Sequence, residues 1–173
     1  ADMLLSPDEV KESDIADSVI IHAGSCSLSA NPVAEATIKA LKTGHDLGKL
    51  VSFDVNYRNL MWNDDQQACA DAVKAILPYV DILKISEEEV EMLGGQEHIQ
   101  DLMKENQIAM VVETLGSEGA CAYLGEEVIH VAGRKVKAVD ATGAGDAFWG
   151  AFLSSLRIQG VEKSTDLSAQ IVK

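Results

Sequence analysis

The sequence predicts an α/β domain on a mostly parallel sheet, with helices over both faces. Three observations predict it. Short apolar runs alternate with stretches of helical apolar periodicity, in the order strand, helix, strand, helix. Repeated βα units of this kind imply parallel strands covered on both sides. The 173 residues are 47% apolar with only three Pro and 13 Gly, enough for one real core and ordered structure throughout.

The first strand candidate is Ser18–His22, ending at Gly24. Asn31-Pro32 then opens a helix, Asn as N-cap and Pro at the first helical position, with Val33, Thr37, Ala40, Leu41 and Gly44 on one face and Gly48 as its stop. Leu50–Val55 is the second strand. Asn63-Asp64 opens a second helix whose inner face carries Ala68, Ala72, Val73, Ile76 and Leu77. Asp81–Ile85 is the third strand, followed by helices over Glu87–Leu93 and about Ile99–Asn106. Ile108–Thr114 is the fourth strand, and Ala120–Leu124 with Glu127–Val131 reads as a hairpin around Gly125-Glu126. Lys135–Val139 reads as a short strand or extended lead-in to a long helix from about Gly145 to Leu156. In such sheets ligands gather at the carboxyl ends of the strands.

Charge and cysteine usage narrow the function classes. With 14 basic against 28 acidic residues the net charge is −14, which works against nucleic acid or an anionic membrane as partner. Cys26, Cys69 and Cys121 are odd in number and far apart, suggesting neither a disulfide framework nor a zinc site but reduced thiols in a cytoplasmic protein. No apolar stretch approaches the roughly 18 residues of a membrane span. Ala1 is not an initiator Met and the chain stops in a helix just begun, so it reads as a piece of something larger.

Four segments carry candidate chemistry. Asp140-Ala141-Thr142-Gly143-Ala144-Gly145-Asp146 places two glycines where a helix begins. The free N–H groups of a first helical turn make an anion site, suited to the charge on a phosphoryl group in transfer. Asp146 lies in that turn, placed to take a proton from an attacking hydroxyl, and the helix dipole favours its ionised form. Thr114-Leu115-Gly116-Ser117-Glu118-Gly119 follows a strand and reads as a glycine turn into the hairpin. In Lys84-Ile85-Ser86-Glu87-Glu88-Glu89, Ser86 and Glu89 have capping-box spacing. Phe53–Trp62 takes a strand into polar Asp54, Asn56 and Arg58, read either as a substrate contact or as an internal Asp54–Arg58 pair. His22, His45, His98 and His130 form no pattern, and Trp149 reads as core.

The first segment resembles the hallmark motif of the ribokinase-like (PfkB) carbohydrate kinases, Asp-Thr-Thr-Gly-Ala-Gly-Asp, departing only at Ala141. The resemblance implies a three-layer α/β/α fold and transfer of the ATP γ-phosphate to a sugar hydroxyl, with Asp146 as base and the Gly143, Ala144 and Gly145 amides as anion hole. Thr114, Gly116 and Gly119 match the family's loop against the nucleotide phosphates, and Lys84 is expected to add positive charge there. Glu89 matches the Glu that orders magnesium-bound water, although Ser86 replaces the usual Asn. Asp54, Asn56 and Arg58 followed by Leu60 and Trp62 are similar to the sugar-side segment of fructokinases and 2-keto-3-deoxygluconate kinases. Asp140 and Thr142 fall at the family's monovalent-cation (K⁺) site. The implied partners are ATP, Mg²⁺ and a small sugar. A homodimer is expected of the whole protein, and little or no turnover of this chain alone. The rival reading is a non-catalytic relative that keeps the fold.

Overall fold

The computed structural model describes residues 2–137 and 139–172. Six strands form one sheet in chain order: β1 (Ile20–Gly24), β2 (Leu50–Asp54), β3 (Ile82–Ser86), β4 (Met110–Thr114), β5 (Gly119–Leu124) and β6 (Glu127–Ala132). β1 to β4 are parallel, and β5 and β6 add an antiparallel hairpin at one edge. The helices are α1 (Glu12–Ala16), α2 (Val33–Asp46), α3 (Gln66–Ile76), α4 (Glu87–Leu93), α5 (Ile99–Asn106), α6 (Ala144–Ile158) and α7 (Ala169–Val172).

Strand side chains alternate between the two faces of a sheet, and the core divides accordingly. Val51, Phe53, Leu83, Ile85 and Val111 pack with residues of α2 to α5, such as Leu41, Val73, Val90 and Met103. Leu50, Ile82, Met110 and Val112 pack on the opposite face with Trp149 and Leu156 of α6. Helices therefore cover both faces, as the βα alternation implies.

Two helix starts differ from the expectation. α2 begins at Val33 with Pro32 at the N-cap, because the Asn31 side chain donates from Nδ2 to Glu35 Oε1 (2.9 Å) instead of accepting a first-turn N–H. α3 begins at Gln66, capped by Asp65, whose Oδ1 accepts the Ala68 N–H at 2.9 Å. Asn63 and Asp64 instead take left-handed conformations (φ 50° and 62°) in the preceding turn. Of the expected inner face, Val73, Ile76 and Leu77 are buried, whereas Ala68 in the first turn is exposed and Cys69 and Ala70 are buried instead. Lys135–Lys137 form no strand, and Ala138 of that expected segment lies outside the described residues.

Gly119 opens β5 with φ +109°, and a Cβ there would run into the Val131 carbonyl oxygen across the hairpin. Gly125, at the hairpin turn, has φ +57° with open space around it. Gly119→Ala is expected to destabilise the protein by about 2 kcal/mol or more, and Gly125→Ala by about 1 kcal/mol. Thermal or urea unfolding of the two variants checks the order.

Candidate active site

Register and side-chain alternation bring the polar groups together. Ile20, Leu50 and Ile82 pack towards α6, so the residues two positions on, His22, Ser52 and Lys84, face the same side, as does Asp54. Asp54 is the register partner of Lys84, and His22 of Ser52. Lys84 Nζ donates to both Asp54 oxygens at 2.9 Å, and the two residues are only 5% and 3% exposed. Burial raises the Asp54 carboxyl above its ordinary range, and the bonded Lys84 ammonium pulls it back.

The start of α6 lies over this pair. Gly143, the N-cap, takes φ +74°, a left-handed conformation that favours glycine. The Ala144 N–H donates to Ala141 O (3.0 Å) and the Ala147 N–H to Gly143 O (2.9 Å). Among the described residues the Gly143, Gly145 and Asp146 N–H groups have no acceptor; of the three amides expected as an anion hole, that of Ala144 is instead taken up by Ala141 O in the turn. A Cβ built on Gly145 would lie 3.5 Å from Lys84 Nζ, which places the ammonium just under this turn.

Asp146 is exposed, and its Oδ1 accepts from Asn56 Nδ2 at 3.4 Å. Asn56, at φ 42°, begins the loop after β2. Glu89 fixes that loop: Oε1 accepts the Tyr57 N–H at 2.7 Å while Oε2 accepts the Ser86 N–H at 2.8 Å. The Ser86–Glu89 spacing is thus realised as a capping box at the start of α4. Arg58 is exposed and donates to Tyr57 O (3.2 Å); the Asp54–Arg58 pair does not form, because Asp54 is held by Lys84.

Two hollows lie near the start of α6 and the loop after β2. One, of about 630 Å³, lies between the hairpin and α6, lined by Thr114, Gly116, Gly119, Ala144, Gly145 and Phe148. The Leu115 N–H closes its glycine turn onto Gly119 O (2.9 Å), and Thr114 Oγ1 donates to Ile85 O (3.4 Å). The other, about 640 Å³ and mostly apolar, lies beside β1 and α2 and includes His22, Gly24, Cys26 and Asn56. Asp146 is bonded to Asn56 of the second hollow and adjoins Gly145 of the first.

Asp140 stands apart and exposed; the Thr142 N–H donates to its Oδ1 at 2.8 Å and lowers its pKa. No group of three or more His, Cys, Asp or Glu among the described residues could hold a metal. None of the described helices is long and apolar enough to cross a membrane. Cys26, Cys69 and Cys121 are free thiols.

The sequence reading passes over His22 and Ser52. The signal for Ser52 was its place two residues before Asp54 in an otherwise apolar strand; His22 becomes visible only through its register with Ser52. His22 Nδ1 lies 3.0 Å from Ser52 Oγ. His22 keeps an exposed surface, yet its partial burial lowers its pKa, opposed by the Ser52 contact; Lys84 lowers it further and Asp146 raises it. The unfolded chain therefore binds this proton more readily. The stability cost is absent well above pH 6.5, the ordinary His value, and grows as pH falls through it. His22→Gln is expected to lose less Tm than wild type between about pH 7.5 and about pH 5.5. Equal losses would contradict this.

Comparison with known proteins gives this geometry a context. Residues 1–166 match the pfkB family carbohydrate kinase. The chain is 38% identical over 164 residues to the probable fructokinase-5 of Arabidopsis thaliana, covering 92% of this chain and 50% of that protein. It is similar to the Vibrio cholerae O395 fructokinase crystallised with fructose, ADP and calcium: TM-score 0.78, 33% identity, 90% of this chain and 51% of that one. It is also similar to aminoimidazole riboside kinase from Salmonella enterica: TM-score 0.81, 26% identity, 99% of this chain and 56% of that one. The chain thus spans about half the length of the curated relatives it matches. With the match reaching across 166 of its 173 residues, the chain belongs to the pfkB family of carbohydrate kinases.

Proposed function

We propose that the whole protein is an ATP-dependent sugar kinase acting on fructose or a closely related sugar. The observation that carries this reading is the position of Asp146: exposed, in the first turn of α6, beside open amides, bonded to Asn56 of one hollow and next to Gly145 of the other. In the reaction, Asp146 takes the proton of the sugar hydroxyl as its oxygen attacks the γ-phosphorus. The bond to the β–γ bridging oxygen breaks, and ADP leaves. The Gly143, Gly145 and Asp146 N–H groups, with Ala144 closing the turn, meet the negative charge on the transferring group. The hollow beside Thr114, Gly116 and Gly119 takes the nucleotide, where an exposed glycine turn lets phosphate approach the backbone. The hollow beside Asn56 takes the sugar.

Magnesium fits this site through the nucleotide rather than through a protein cage. Each Glu89 oxygen accepts one backbone N–H and keeps a lone pair for a metal-bound water, and Mg²⁺ is commonly held by phosphates and one or two carboxylates. Magnesium would neutralise phosphate charge during transfer. Asp140, with its second oxygen open, and Thr142 are the groups we assign to a monovalent cation. Free thiols support a cytoplasmic setting.

Fructose is favoured by the fructokinases among the relatives. Arg58 supports a second reading, 2-keto-3-deoxygluconate kinase: among the described residues its exposed guanidinium bonds only its neighbour's carbonyl, which lets it fork onto a carboxylate.

In the whole protein, Asp146→Asn is expected to lower kcat by about 10²–10⁴-fold with nucleotide binding retained. An assay coupled to ADP release checks it, and unimpaired turnover would remove Asp146 from the role of base. Arg58→Ala is expected to raise the sugar KM by about tenfold or more, and much further for a carboxylate sugar than for fructose. Steady-state kinetics on both sugars measures this; an unchanged KM for each would exclude Arg58 from the sugar site.

A further inference from the structure

Trp149 and Leu156 are the buried residues of α6 in this chain, with Phe152 and Leu153 packed beside them. One of those contacts is directional. Trp149, 2% exposed, donates its indole Nε1–H to Ser52 Oγ at 3.0 Å. Ser52 is fully buried in the middle of β2, and the same oxygen lies 3.0 Å from His22 Nδ1 on β1. With the imidazole neutral, the arrangement that satisfies every group runs from the Trp149 N–H to Ser52, and from the Ser52 O–H to His22 Nδ1. Leu156 and the stacking of Trp149 on Phe152 (5.2 Å between centroids) are apolar and tolerate rotation of the helix; the indole bond does not.

Trp149 follows Asp146 by three residues, which puts both near one face of α6. We propose that Ser52 is a positioning residue: its hydroxyl, held by His22 and gripped by Trp149, sets the rotation of α6 and so aims Asp146 at the reacting hydroxyl. This rests on the sugar-kinase reading and adds to it a residue that touches neither substrate. A displacement of about 1 Å at a reacting group can cost on the order of 100-fold in rate, so a loose helix is felt in kcat before it is felt in binding.

The test is made in the whole protein with two kinds of variant. Ser52→Thr and Ser52→Val have nearly the same shape and differ in the hydroxyl; Trp149→Phe keeps an aromatic ring and removes the N–H. Ser52→Val and Trp149→Phe are expected to lower kcat by about 10- to 100-fold with both KM values within about twofold. Ser52→Thr should stay well above Ser52→Val, and the Ser52→Val/Trp149→Phe double variant should lose no more than the worse single one. Independently of turnover, the carboxyl ¹³C resonance of Asp146 should shift in Trp149→Phe. Equal kcat for the Thr and Val variants, additive losses, or an unmoved Asp146 resonance would each overturn the inference. If Asp146→Asn abolishes turnover while these variants leave kcat intact, the positioning role fails alone. If Asp146→Asn is harmless, the kinase reading fails, and the resonance still decides whether Ser52 and Trp149 hold Asp146.

Discussion

The Lys84–Asp54 ion pair is the interaction on which the arrangement of the site depends. Asp54 ends β2 and Lys84 is the central residue of the parallel β3, in register with it, and both are almost without water. A buried charge there needs its partner: removing one would leave the other uncompensated at a cost of about 3–5 kcal/mol. The pair therefore locks the end of β2 to the middle of β3 directly under Gly145. It also changes what Lys84 can do. Its ammonium is largely neutralised by two bonds to Asp54, so it supports the turn above it more than it offers free charge to a phosphate.

That consequence bears on how a chain of net charge −14 would bind the nucleotide proposed above. The positive field must be local, and the geometry supplies it from the backbone. Gly143 turns the chain left-handed, α6 starts, and open N–H groups sit at the positive end of a 15-residue helix. Glu89 extends the order outward: one carboxylate ties the loop after β2 to the start of α4, which brings Asn56 within reach of Asp146.

Much of this was legible in the sequence where the signal is local. The α4 and α5 spans, the hairpin and the long helix follow from apolar periodicity and glycine stops, and the helix-start glycines announce their own conformation. The start of α3 was not legible, because Asn63, Asp64 and Asp65 are all competent caps and only packing chooses Asp65. The partner of Asp54 was not legible either. Arg58 is four residues away and Lys84 thirty, and only strand register brings the distant one closer. The same holds for His22, Ser52 and Trp149, which meet across two strands and a helix; none carries a motif, and Trp149 read simply as core. Local conformation is written in neighbouring residues, while pairings across the sheet wait on register.

The most direct measurement of the central claim is a crystal structure of the whole protein with ADP, sugar and a planar aluminium fluoride that mimics the phosphoryl group in transfer. The account predicts fluorides within hydrogen-bonding distance of the amides at the start of α6, and an Asp146 oxygen on the acceptor hydroxyl. A mimic bound away from that turn, or an Asp146 carboxylate directed away from the sugar, would contradict it.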